Sequence, residues 1–83
     1  MFINKTPDGR NNVCGERISF YRKEMKISQK KLADRLQLAG LDVDKNAVQR
    51  MEAGKRFITD IELVYIAKVL GKSIENLFES VDK

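Results

Sequence analysis

Three times in this chain a small polar residue, bracketed by two apolar ones, opens a stretch that closes on a glycine. Ser28 leads to Gly40, Asp44 to Gly54 and Thr59 to Gly71. Ser, Asp and Thr side chains accept hydrogen bonds from the first unpaired N–H groups of a helix. Glycine supplies the left-handed residue on which helices commonly end. The pairs Ile27/Leu32, Val43/Val48 and Ile58/Leu63 stand at the N′ and N4 positions of a hydrophobic staple, and Glu62 completes a capping box with Thr59. These signals predict a second helix from Ser28 to Gly40, a third over Lys45 to Ala53 and a fourth from Thr59 to Gly71. Ahead of them, Cys14, Ile18, Tyr21 and Met25 fall on one helical face and predict a first helix over Val13 to Met25. Behind them, Ser73 caps a fifth that carries Ile74, Leu77, Phe78 and Val81. Strand signals are almost absent. Five short helices with brief joints form an all-α, compact globule and not a coiled coil.

Residues 1–12 have no apolar periodicity and hold Pro7, Asp8-Gly9 and Asn11-Asn12, all turn formers, so they read as a flexible N-terminal arm. The domain is then 13–80, with 81–83 as a tail. With 83 residues there is room for one domain. A single Cys and no His argue against structural zinc and against a Cys–His nucleophile, and Cys14 reads as a small buried hydrophobe. No Gly-rich phosphate loop or acid–base cluster is visible. Asp42 and Asp44 lie close together, but Asp44 already has a capping role. No catalytic residue, metal or cofactor is therefore expected. No apolar run approaches the ~20 residues that cross a bilayer, and the N-terminus lacks the apolar core of a signal peptide. A cytoplasmic, membrane-free setting is the expectation.

The net charge of +4 is unevenly spread. Residues 22–56 hold ten Lys/Arg against five Asp/Glu, and residues 57–83 hold three against five. A basic middle segment suits a polyanion, because each cation set on a phosphate releases condensed counterions. It also suits an ordinary solvated helical surface. The predicted third helix sharpens the choice. Its apolar side is thin, being Ala47, Val48 and Met51, while Lys45, Asn46, Gln49 and Arg50 occupy the rest. Asn46, Gln49 and Arg50 share one face, and Lys45 neighbours Gln49. Asn and Gln pair bidentately with adenine, and Arg or Lys with guanine. Two short helices joined by a turn, the second with a polar face, can place that second helix in a major groove. A helical protein-interaction module is the rival reading, and it predicts an apolar patch in place of that polar face.

Four stretches also carry a family resemblance. G-E-R-I-S-F-Y-R at 15–22, I-S-Q-K-K-L-A at 27–33, V-D-K-N-A-V-Q-R-M-E-A-G-K-R at 43–56 and I-A-K-V-L-G-K-S-I-E-N-L-F at 66–78 resemble the phage Cro/repressor-type (XRE) helix-turn-helix family. The likeness spans about 13–79. It implies a lambda-repressor-like five-helix fold and a sequence-specific, double-stranded DNA-binding regulator, a repressor or the antitoxin of a toxin–antitoxin pair. By the same resemblance, Lys45, Asn46 and Arg50 match base-reading positions, with Gln49 beside them. Ser28, Gln29, Lys55 and Arg56 match phosphate-contacting positions. Arg22 and Glu52 match an ion pair that links the first helix to the third; alternatively they are two ordinary surface charges.

The chain departs from the family pattern in three places. The stretch Leu36 to Val43 is about five residues longer, with Leu38-Ala39-Gly40-Leu41-Asp42 as the extra part. Lys26 stands where the family often has Gly, and Lys31 where Glu would complete a capping box. Because the extra stretch is apolar, Leu38 and Leu41 are expected either to pack on the domain or to meet another chain. One short recognition helix reads few base pairs, so a homodimer on a pseudo-palindromic operator is expected, with Ile74, Phe78 and Val81 at its contact.

Overall fold

In a computed structural model, which describes residues 5–79, the chain forms five helices: α1 Gly15–Glu24, α2 Gln29–Ala39, α3 Lys45–Glu52, α4 Asp60–Leu70 and α5 Ile74–Leu77. No strand occurs among the described residues. Each of the last four helices begins where its cap signal stands. The Ser28, Asp44, Thr59 and Ser73 side chains accept from the backbone N–H three residues on. Thr59 and Glu62 form the expected capping box, and Ser73 forms a second with Asn76. Gly40, Gly54 and Gly71 all take positive φ, as their stop positions require. The C-terminus of α2 closes as a Schellman turn, with the Gly40 N–H donating to Gln37 and the Leu41 N–H to Leu36.

The faces set by helical periodicity meet in one core. Ile18, Leu36, Ile66 and Leu77 are fully buried, and Cys14, Tyr21, Leu32, Val48, Met51 and Leu70 lie beside them. Burial pushes the Cys14 thiol up to about 11. The thin apolar side of α3 is fully used: Val48 and Met51 are buried, and Ala47 packs against the cluster. α3 contacts both α1 and α2, so its opposite face is left to solvent.

The extended turn divides its two leucines. Leu41 packs against the core, and the Gln37 amide donates to the Val43 carbonyl to close the turn. Leu38, expected either to pack on the domain or to meet another chain, does not pack on the domain and is 88% exposed. It lies two residues, about 200° of helix, beyond buried Leu36, and so points away from the body. Ala39, which helical spacing puts on the same face as Leu32 and Leu36, is exposed at the end of α2. Ile74 and Phe78 remain exposed, at 38% and 50%; Val81 lies outside the described residues.

Candidate nucleic-acid interface

The exposed side of α3 is built from its two ends. Asp44 caps the N-terminus by accepting from the Ala47 N–H. From there Lys45, Asn46, Gln49 and Arg50 all point to solvent. Asn46, Gln49 and Arg50, together with Ala53 and Lys55, line one concavity of about 380 Å³. Lys45 is exposed on the same helix but is not part of that lining. Within the described residues, none of the Lys45, Asn46, Gln49, Arg50 and Lys55 side chains has a hydrogen-bond or ion-pair partner. Donors and acceptors kept in water cost nothing to hold and are ready for another partner. A short helix that leaves most of its side chains uncommitted contributes little core and much recognition surface.

Behind this face sits a buried charge network. Arg22 of α1 and Glu52 of α3 pair bidentately, with Arg22 Nε donating to Glu52 Oε2 at 2.6 Å and Nη2 to Oε1 at 3.0 Å. Their side chains are only 11% and 6% exposed. Arg22 Nη1 also donates to the Ile27 carbonyl, at the turn into α2. Gln29 Nε2 donates to Glu52 Oε1 at 2.9 Å. One carboxylate thus ties α1, α2 and α3 together through fixed, planar bonds. Gln29 is therefore joined to this network from the first turn of α2. Ser28 is exposed at the start of α2, and its hydroxyl holds the Lys31 N–H.

Lys55 and Arg56 follow Gly54 in the joint to α4, and they differ in how they are held. Lys55 is exposed. Arg56 is paired bidentately with Glu62, at 3.0 and 2.8 Å, and also donates to the Phe57 carbonyl. Hydrogen bonding from Arg56 holds the Glu62 carboxyl below its ordinary range against the opposing effect of burial, and the Arg56 guanidinium is raised in turn. Glu62 also accepts from the Thr59 N–H, so a single side chain closes the capping box and anchors Arg56. Helical spacing exposes Glu62 as a cap but says nothing of its pairing with Arg56.

Residues 10–12 are a further surprise. They hydrogen-bond to the end of α3 and to the joint that follows it, although sequence placed them in the arm. Asn12, read in the sequence only as a turn former, accepts the Gly15 N–H on its side-chain oxygen at the start of α1.

Two adjoining helices with a staple at each start, a wide turn between them and an uncommitted polar face on the second define a helix-turn-helix domain. The family model described as "Helix-turn-helix" matches residues 18–77, and the chain belongs to that family, in its XRE-type group of DNA-binding regulators. Among solved structures, the restriction-modification controller protein C.AhdI from Aeromonas hydrophila is similar at 25% identity and a TM-score of 0.68. That match covers 77% of this chain and 86% of C.AhdI. The P22 c2 repressor, solved in complex with the synthetic operator 9T, is similar at 27% identity and the same TM-score of 0.68. Here the coverage is 81% of this chain and 94% of the repressor. No curated protein sequence matches the chain at a significant level.

Proposed function

We propose that this domain is a repressor that reads operator DNA through the major groove with α3. The uncommitted polar face lining the 380 Å³ concavity carries the reading, because it gathers Asn46, Gln49 and Arg50 beside Lys55. Asn46 and Arg50 contact base edges, with Gln49 and Lys45 beside them. Ser28 and Gln29 approach phosphate from the start of α2, and Lys55 and Arg56 from the joint after α3. Of the similar structures named above, one is a controller protein and the other a repressor solved on an operator. The domain performs no catalysis in this role and needs no cofactor. No helix among the described residues is long and apolar enough to cross a membrane, and the place of action is the cytoplasm, where operator DNA lies. The working unit is a homodimer on a pseudo-palindromic site.

The test compares a duplex recovered from a random DNA pool with a random duplex of equal length. Asn46→Ala and Arg50→Ala should each cost ~1–3 kcal/mol on the recovered duplex and much less on the random one. Equal losses on both duplexes would reduce the two residues to backbone contacts.

A further inference from the structure

We propose that Arg10, Asn11 and Asn12 form a clamp that sets the pose of α3, making Arg10 and Asn12 positioning residues for DNA reading; this rests on the reading of α3 given above. Five hydrogen bonds run from this tripeptide to residues 51–56. Arg10 Nη2 donates to the Glu52 carbonyl at 2.9 Å. The Asn11 N–H donates to Gly54 at 2.8 Å, and its side-chain amide to Lys55 at 3.2 Å. The Asn12 amide donates to both Met51 and Arg56, at 2.9 and 2.8 Å. Asn12 is itself buried, and its carbonyl oxygen holds the Gly15 N–H at the start of α1.

These partners are carbonyls at the C-terminus of α3, where the helix itself leaves them without an i+4 donor, and in the turn beyond it; that of Met51 also accepts from the Gly54 N–H. Arg10 also places a cation at the negative end of the α3 dipole. The fit is close. A Cβ on Gly54, already at φ +77°, would meet Arg10 Cζ at 2.7 Å, and one on Gly15 would overlap the Met51 carbonyl oxygen.

α3 has eight residues and buries only two of them. So little apolar grip leaves its orientation to polar contacts at its ends. Asp44 governs the first end, whereas the Arg22–Glu52 pair and this clamp govern the second. The clamp also fixes the joint that carries Lys55, and thus the spacing between base-reading and phosphate-facing groups. Base reading depends on that spacing, and non-specific attraction to a polyanion hardly does.

The test uses the full chain with Arg10→Ala and Asn12→Ser. Serine keeps an acceptor for the Gly15 N–H but replaces the two amide donors with a single hydroxyl on a shorter side chain, so the start of α1 stays held while the bonds to Met51 and Arg56 are not both kept. Amide hydrogen exchange without DNA should quicken at Gly54 and Lys55 while the centre of α4 is unchanged. On a duplex recovered from a random pool, each variant should bind roughly tenfold more weakly, as expected for losing a charge-assisted or buried hydrogen bond. Binding to random duplex should change little, and the slope of log K against log salt should match wild type. Affinities within twofold of wild type on the recovered duplex would overturn the clamp. So would a slope lowered by about one in Arg10→Ala, which would make Arg10 a direct phosphate contact. A wild-type chain that prefers no duplex would instead remove the α3 reading, and the clamp's role with it, whatever the exchange data show.

Discussion

Lys55 and Arg56 are adjacent cations with different commitments. Arg56 shares its charge with Glu62, whereas Lys55 has no side-chain partner among the described residues. Lys55→Ala should therefore weaken binding to all duplexes and lower the salt slope by roughly one, with Arg56→Ala giving the smaller change in slope. Titration of both variants across salt concentration checks this; an unchanged slope for Lys55→Ala would take it out of the interface. Lys26 supplies a second residue-level prediction. It is the non-glycine residue with positive φ, at 59°, among the described positions. A Cβ there is strained by ~1–2 kcal/mol, and glycine's own entropy offsets part of the relief. Lys26→Gly should raise stability by about 0.5–1 kcal/mol in urea unfolding, and a loss of stability would contradict the strain. Both residues were visible in sequence for different reasons. Lys26 stood out by its resemblance to a glycine position, and Lys55 by following a helix stop. The pairing of Arg56 with Glu62 was not visible, since six residues of separation across a joint follow no helical period.

At the scale of the element, the helix ends were legible and the surroundings of the helices less so. Caps, staples and stop glycines act within about six residues, so α2, α3 and α4 begin where their signals stand. Burial depends on which neighbour lies alongside, and Leu38 shows the difference. Its apolar character pointed either to the core or to another chain, and its angle on α2 turns it away from the core. Leu41 passes the C-terminal turn and reaches the core. Leu41→Ser should thus cost up to ~1.5–3 kcal/mol, scaled down for its partial burial, and lower the melting temperature. Leu38→Ser should leave the melting temperature unchanged. A drop for Leu38→Ser in thermal unfolding would show that its surface is covered by another chain. The hydrogen bonds from residues 10–12 to 51–56 were illegible in the same way: their polar donors looked like turn formers, and their acceptors are backbone carbonyls, which every residue has.

For the molecule as a whole, the arrangement reads as a rigid α1–α2–α3 unit carrying a recognition surface. One buried carboxylate, Glu52, is bonded to both α1 and the first turn of α2. Removing either partner of such a pair strands a charge, at a cost of about 3–5 kcal/mol. The resemblance gave this pair, since two isolated charges thirty residues apart carry no spacing signal. Ile74 and Phe78 keep exposed apolar surface, and on α4 Ile61 and Val64 are exposed too, at 64% and 55%; the proposed homodimer would need to cover surface of this kind. Two copies related by a two-fold axis would set their α3 helices about one DNA turn, ~34 Å, apart. Whether the α3 surface reads DNA sequence is decided by selection of duplexes by the full chain from a random pool. A homodimer that reads sequence with α3 should enrich one two-fold-symmetric motif with half-sites about one helical turn apart. Repeated selection that enriches no motif at all would contradict sequence reading by α3.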